Sequence, residues 1–219
     1  MATIELQVID IPLEQLTRAE EFALQSLQMS KERVLGRYAD QYNETLERCY
    51  KDVTCPGMFK GIPVTAKNDD EIHLEGGIVL KSKTLAKMLH RADEVVAYAV
   101  TLIGHDELLN DPDNSMLEGM FYNAWGAGFS MAGHRWLKKI IAEQASERGR
   151  YAGRGWTTGE DDVELRLQEQ LFQMIDPSQI GLSVEDSGIM HPVMSVSGFM
   201  GISDDPAIVE DGADKGECH

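Results

Sequence analysis

Residues 94–103 (EVVAYAVTLI) constrain the fold more than any other segment of this chain. The run is rich in β-branched side chains and almost wholly apolar. A strand with one face in water alternates apolar and polar residues, whereas a strand covered on both faces reads as a continuous apolar run. The segment therefore predicts a central strand that is buried on both faces.

Apolar spacing and breaker residues divide the rest of the chain into helices and short strands. Helices are predicted over residues 12–28, from Ser30 to about residue 53, and over 82–91, about 115–145 and 163–175. Strands are predicted over 62–66, 71–74, 78–80, 180–184 and 193–202, with a hairpin turn at Gly76-Gly77. No internal repeat and no shift in composition marks a second core, so we expect one domain.

Charge excludes whole classes of partner. The chain has 20 Lys+Arg and 37 Asp+Glu, a net charge of −17, whereas nucleic-acid binding and docking on anionic membranes both need clustered cations. No apolar run is long enough to span a bilayer, and the N-terminus lacks a signal-peptide pattern. We therefore expect a soluble, cytoplasmic protein.

Residues 204–219 carry six acidic residues and one lysine, which predicts an acidic flexible tail after a domain of residues 1–203. Residues 1–60 are expected to form a helical N-terminal part of that domain.

The long helix predicted over residues 115–145 contains an unusual number of small residues. Each glycine inside a helix costs about 1 kcal/mol relative to alanine. Gly119, Gly126, Gly128 and Gly133 therefore indicate close packing against another element, with a small-residue ligand surface as the alternative. The methionines near the C-terminus, Met190, Met194 and Met200, are interpreted as adaptable core, or else as a soft apolar docking surface.

Residues 146–162 (SERGRYAGRGWTTGEDD) interrupt the periodicity and are predicted to form a loop. Arginine offers a planar fork to a carboxylate or phosphate, glycine lets the backbone approach a ligand, and an aromatic ring can stack on a heterocycle. The loop carries all three kinds of residue, including Arg150, Arg154, Gly155 and Trp156. A solvated loop whose arginines pair with nearby acidic residues explains the same composition.

Standard catalytic and nucleotide signatures are absent from the sequence. It contains no GxGxxG or GxxxxGK[ST] phosphate loop, and no GxSxG or HExxH motif. The six histidines are dispersed, with no pair at the i,i+4 spacing of a helical metal site. No catalytic residue and no metal ligand is assigned.

Several segments resemble, in order, the activation domain of cobalamin-dependent methionine synthase. They are residues 82–104 (SKTLAKMLHRADEVVAYAVTLIG), 168–172 (QEQLF) and 181–198 (GLSVEDSGIMHPVMSVSG). The last segment is the most specific, because it keeps an acidic-Ser pair, Met-x-Pro and Ser-Val-Ser-Gly. The resemblance spans about residues 60–202 and implies a single α+β domain, with a twisted, mainly antiparallel sheet and packed helices.

The resemblance also implies a function. In that family the domain binds S-adenosylmethionine and packs over the corrinoid of a partner domain, where cob(II)alamin is reduced and remethylated. A free-standing relative would be an accessory protein of a corrinoid protein or cobalamin-dependent methyltransferase, in reductive reactivation or cobalamin-linked methyl transfer. Cobalamin would be carried by the partner. Whether such a chain is itself an enzyme is left open.

One alternative is a non-catalytic docking or scaffold module that has lost S-adenosylmethionine binding. Another is an independent enzyme with a small acidic or nucleotide-like ligand at the arginine-rich segment.

The family's cofactor loop carries Arg-x-x-x-Gly-Tyr followed by a turn that contains proline. The nearest stretch here is residues 150–156 (RYAGRGW), in which Gly155-Trp156 can take the Gly-Tyr place. One extra residue follows Arg150 and the proline is missing, a departure that favours the docking module. The candidate cofactor-binding residues are accordingly Arg150 or Arg154 as a carboxylate clamp, Gly155, Trp156 as a stacking face, and Glu185 in the best-matching segment.

Overall fold

The computed structural model describes residues 3–159 and 163–210. Within them the chain forms six α-helices and nine strands, joined by turns and short 3-10 helices. The helices are α1 (Ala19–Leu27), α2 (Lys31–Asp52), α3 (Lys83–Met88), α4 (His105–Leu109), α5 (Met116–Glu147) and α6 (Gln168–Met174). The strands are β1 (Gln7–Ile11), β2 (Cys55–Lys67), β3 (Glu71–Leu74), β4 (Val79–Lys81), β5 (Glu94–Val100), β6 (Tyr151–Thr157), β7 (Ser183–Val184), β8 (Met190–His191) and β9 (Val196–Ser203).

The main sheet is antiparallel, with the strand order β4-β3-β2-β5-β9-β6 and β1 paired to β2. Every residue of β5 is buried, and the strand lies between β2 and β9. The prediction of a central strand is confirmed, although regular pairing ends at Val100 rather than at residue 103. The predicted hairpin around Gly76-Gly77 is also present, as β3 and β4.

Helices cover both faces of this sheet. Val96, Tyr98 and Val100 of β5 join a core with residues of α1, α2 and α5. Val95 and Ala97 face the other way and pack with residues of α3 and α6. The chain is thus a single domain of mixed helix and antiparallel sheet, as predicted. None of the helices in the described residues is long and apolar enough to cross a membrane.

Serine caps start the two longest helices where the sequence places them. Ser30 accepts a hydrogen bond from the backbone N–H of Arg33 at the start of α2. Ser115 and Glu118 form a reciprocal capping box at the start of α5. Such caps satisfy N–H groups that have no partner within the helix, which stabilises the starts of both helices.

Three of the four glycines of α5 serve close packing, whereas the prediction is wrong for Gly119, where a Cβ would meet open space. A Cβ at Gly128 would lie 2.4 Å from the backbone oxygen of Ala19, and a Cβ at Gly133 would lie 2.9 Å from Sγ of Cys55. The helix could not approach α1 and β2 so closely with alanine at these positions. The packing interpretation accounts for these two glycines, and a small-residue ligand surface is not needed to explain them.

Several boundaries predicted from the sequence are wrong. The loop predicted over residues 146–162 contains β6, which forms because its backbone pairs with β9. Residues 1–60 are not only helical, since β1 extends the sheet. The helix predicted from residue 12 starts at Ala19, after a 3-10 turn. Residues 180–184 contain only the two-residue β7.

The acidic tail predicted from residue 204 also starts too early. Residues Pro206–Glu210 form a 3-10 turn, and Ile208 is 1% exposed in the core beside β6 and β9. A single buried isoleucine among acidic residues holds this turn in place. Residues 211–219, the remainder of the predicted tail, lie outside the described residues.

Candidate functional site

Four of the five candidate residues lie on or beside β6, the edge strand of the sheet. Arg150 immediately precedes the strand, and Arg154, Gly155 and Trp156 belong to it. Pairing with β9 shifts register between Ala152 and Gly155, so the strand bulges at the candidate residues. Bulges change the direction of side chains and are common near functional sites.

Arg150 is an internal ion-pair centre. Its guanidinium donates to the carboxylate of Glu94 and, at 2.8 Å, to that of Asp204, while Asp93 lies 3.7 Å away. The arginine is 8% exposed and Glu94 is 1% exposed, so both charges lie out of bulk water. Breaking such a pair strands a charge in a medium that solvates it poorly. This guanidinium is already neutralised by the protein's own carboxylates.

Trp156 lies inside the core rather than on the surface of the sheet edge. It is 3% exposed and packs in the core formed with α3 and α6. The guanidinium carbon of Arg154 lies over its ring, 4.8 Å from the centroid. This is a cation–π contact within the protein, and it occupies a ring face that stacking on an external heterocycle would require.

Gly155 faces the opposite side of the sheet, toward α5. A Cβ there would lie 2.6 Å from Cδ of Lys138 and 3.1 Å from the hydroxyl of Tyr98. That hydroxyl lies 3.0 Å from Nε2 of His134. Burial, reinforced by the positive charges of Lys138 and Arg135, lowers the pKa of His134 to about 3. The glycine thus makes room for the side chain of Lys138 and for the tyrosine hydroxyl that contacts the buried neutral histidine, a structural role.

Glu185 lies at the other end of the central strand from Arg150. It belongs to the β7–β8 hairpin, where its carboxylate lies 2.8 Å from Nε2 of His191. The segment after this hairpin is fastened to Thr101, just beyond β5, through the hydroxyl of Ser195 at 2.7 Å. Glu94, the partner of Arg150, starts β5. The seven residues of β5 span about 23 Å. Because Arg150 is bound near one end of this strand and Glu185 lies near the other, the structure does not bring them into one site.

Glu94 and Asp204 were not predicted from the sequence as partners of Arg150. One signal was available, because Glu94 is a carboxylate at the start of an otherwise apolar strand, and a buried carboxylate requires a partner. Nothing in the sequence indicated Asp204, which is 54 residues from Arg150. Among the described residues, no group of His, Cys, Asp or Glu could hold a metal ion.

No family model matches the chain, and no curated protein matches it. Among solved structures, the chain is similar to the MetH reactivation domain, in a crystal structure of that domain bound to AdoHcy. It has the fold of that reactivation domain. The TM-score is 0.73, and the match covers 90% of this chain and 78% of the other, with 16% sequence identity. At this identity the likeness establishes the fold, which confirms the fold class predicted from the sequence.

The residues beside β6 do not fit S-adenosylmethionine in the manner implied by the sequence resemblance. A carboxylate clamp needs a guanidinium with donors to spare, yet Arg150 is neutralised by Glu94 and Asp204. A stacking face needs an accessible ring, yet Trp156 is buried and covered by Arg154. The reactivation-domain fold is therefore present without a ligand-ready arrangement at these residues.

Proposed function

We propose that this chain is an accessory protein of a corrinoid protein, acting in reductive reactivation or cobalamin-linked methyl transfer. The observation that carries the proposal is the fold, since 90% of the chain superposes on a MetH reactivation domain with a TM-score of 0.73. The segment resemblance over residues 60–202 points the same way. The cobalamin would belong to the partner, which would make the chain one component of a cobalamin-dependent methyltransferase system.

A version of this function without S-adenosylmethionine is favoured by the ion pairs of Arg150. A guanidinium that neutralises a 1% exposed carboxylate is committed to the fold. We therefore propose that docking on the corrinoid protein is the part of the activity that this chain retains. The candidate residues Arg150, Arg154, Gly155 and Trp156 then shape the sheet edge, and Glu185 orients the β7–β8 hairpin.

The docking face that we propose includes the hairpin and the segment after it. Ile189 is 51% exposed and Val193 is 59% exposed. Of the three methionines singled out from the sequence, Met200 is buried and Met190 and Met194 pack against the cores. The exposed apolar residues are therefore the neighbours of those methionines. A corrin macrocycle and its protein surround offer apolar area that such side chains can cover.

The test uses the cobalamin-binding module of a cobalamin-dependent methionine synthase, loaded with cob(II)alamin. We expect calorimetry to detect a complex with the wild-type chain, and we expect the cob(II)alamin absorbance to change on mixing. Val193→Asp should weaken this complex at least about tenfold, because it puts a charge into an apolar contact. Val8→Asp is the matched control, since Val8 is 51% exposed on β1.

Two results would contradict the docking proposal. One is the absence of any complex between the wild-type chain and the loaded module. The other is equal weakening by Val193→Asp and Val8→Asp, which would place the contact elsewhere on the surface.

Calorimetry with S-adenosylmethionine and S-adenosylhomocysteine separates the two versions of the function. The docking version predicts no binding of either ligand that depends on the β6 residues. Binding that is lost in Arg154→Ala and Trp156→Ala would instead support the version with S-adenosylmethionine at β6. Binding that all β6 variants retain would place the ligand elsewhere.

A further inference from the structure

A solvent-open cavity lies between the turn that precedes α1 and the middle of α5, outside the candidate site. Its volume is about 310 Å³, and its lining includes the cations Arg18, Arg135 and Lys139 together with the indole of Trp136. No aspartate or glutamate lines it, although the chain carries 37 acidic residues and a charge of −17. Two smaller cavities of the same molecule are lined by Asp10 and by Asp93, respectively.

The fold places the cations Arg18, Arg135 and Lys139 close together. Arg135 and Lys139 are four residues apart on α5, so they share one face of the helix. The guanidinium carbons of Arg18 and Arg135 lie 5.1 Å and 4.7 Å from the centroid of the same ring, that of Phe22. A ring that is 6% exposed therefore holds two like charges beside one cavity.

The three cations differ in how far the protein neutralises them. Arg18 donates two hydrogen bonds to the carboxylate of Glu21, and Lys139 lies 3.5 Å from Glu143 on an exposed part of α5. Within residues 3–159 and 163–210, Arg135 forms neither an ion pair nor a hydrogen bond, although its charge, after the hydrogen bond and charge of Arg18, helps to lower the pKa of Glu21. Its fork of N–H donors is thus available, which contrasts with the guanidinium of Arg150.

Trp136 adds a planar apolar wall. Of the chain's three tryptophans, Trp125 and Trp156 are buried, at 1% and 3% exposed, whereas Trp136 is only half-buried. Guanidinium binds carboxylate or phosphate through two parallel hydrogen bonds, and an indole stacks on flat rings. A volume of about 310 Å³ is at the lower end of small-molecule sites, which begin near 300 Å³.

We propose that this cavity binds a small molecule that carries a phosphate or carboxylate next to a planar ring, with Arg135 as the anion clamp and Trp136 as the ring contact. Lys139 adds long-range attraction for the anion. The site is independent of the corrinoid proposal, because none of its residues belongs to β6 or to the β7–β8 hairpin.

The experiment titrates the full chain with three probes: adenosine monophosphate, inorganic phosphate and adenosine. Binding is followed by calorimetry and by the ligand-dependent change in tryptophan fluorescence, which we expect to come mainly from Trp136 because it is the tryptophan that lines the cavity. We expect adenosine monophosphate to bind at least about tenfold more tightly than phosphate or adenosine alone, because it engages both halves of the site.

Substitutions of Arg135 and Trp136 separate the anion contact from the ring contact. Arg135→Gln should raise the Kd for adenosine monophosphate at least about tenfold, and Arg135→Lys should give an intermediate value because it keeps the charge without the fork. Trp136→Leu should raise the Kd for adenosine monophosphate and leave that for phosphate unchanged. Arg48→Gln is the matched control, since Arg48 also lies over an aromatic ring, 5.8 Å from that of Tyr122. Lys139→Gln, at an exposed side chain, serves if Arg135→Gln fails to fold.

Three outcomes would overturn the proposal. They are no binding of adenosine monophosphate at about 10 mM, equal affinity for adenosine monophosphate and phosphate, and equal Kd values for the Arg135→Gln and Arg48→Gln proteins. Free phosphate and a nucleotide are distinguished by the Trp136→Leu comparison, because only the nucleotide uses the ring contact.

Discussion

Replacing Arg150 by methionine tests whether this arginine is a structural ion-pair centre. Methionine keeps an aliphatic side chain of similar length and removes the guanidinium. Glu94 would then retain one backbone donor, the N–H of Ile4 at 2.7 Å, and lose its charged partner while only 1% exposed. Asp204 would lose its partner too, although its side chain is 48% exposed and water can replace the contact.

Leaving one member of a buried ion pair without its partner costs about 3–5 kcal/mol. We therefore expect urea unfolding followed by circular dichroism to show a loss of about 3 kcal/mol or more in Arg150→Met, with a melting temperature lower by roughly 6–12 °C. Arg166→Met is the matched control, because Arg166 pairs with Glu164 while its side chain is 75% exposed. Exposed pairs contribute at most about 1 kcal/mol. The double variant Glu94→Gln/Arg150→Met should recover part of the loss, since it removes the stranded charge. If Arg150→Met and Arg166→Met lose the same stability, Arg150 is not a structural ion-pair centre.

Other substitutions test the packing and the titration behaviour. Gly198→Ala should destabilise by about 2 kcal/mol or more, because its Cβ would lie 2.2 Å from a backbone oxygen of β6; Gly119→Ala, with open space, should instead stabilise by about 0.5–1 kcal/mol in the same melts. The pKa of His134 is lowered to about 3 in the folded protein. The contribution of the neutral histidine to the free energy of unfolding is therefore complete above pH 6.5 and is lost as pH falls toward 3. Between pH 6.5 and 5 the wild type should lose about 2 kcal/mol more than His134→Gln in urea unfolding; equal losses would argue against a neutral buried histidine. A chain ending at Ser203 should melt well below one that keeps the following 3-10 turn, because Ile208 is 1% exposed; equal melting would show that the turn is dispensable.

The elements that sequence reasoning located correctly are those whose signal is local. The apolar spacing that predicts α2 and α5 and the apolar run that predicts β5 each depend on neighbours within a few residues. β6 escaped prediction because its Gly- and Arg-rich sequence has low strand propensity. It is a strand because β9 pairs with it, a contact between segments more than forty residues apart in sequence. Likewise, one buried isoleucine in an acidic stretch gives no periodic signal.

The partners of Arg150 were also beyond sequence-based prediction, because they lie far from it in sequence. One of the two interpretations of the arginine-rich segment paired its arginines with the acidic residues nearest in sequence. The carboxylates that pair with Arg150 are instead Glu94 and Asp204, 56 and 54 residues away. Only the register of β5, β9 and β6 brings the three together. The chemistry of the arginine was therefore predictable, whereas its partners were not.

The ion pair also bounds what Arg150 could do for a ligand. To clamp an external carboxylate, its guanidinium would have to leave Glu94, and the stranded carboxylate would cost about 3–5 kcal/mol. Since each 1.4 kcal/mol is tenfold in affinity, that cost would weaken binding by a factor of more than about a hundred. A ligand could avoid it only by using Arg150 without displacing Glu94, and the donor to Asp204 is the one that a partly exposed carboxylate could release at little cost. Asp204→Asn therefore discriminates between the two uses. If an adenosyl ligand binds through Arg150, this variant should bind it more tightly than the wild type, whereas a guanidinium committed to the fold gives no gain.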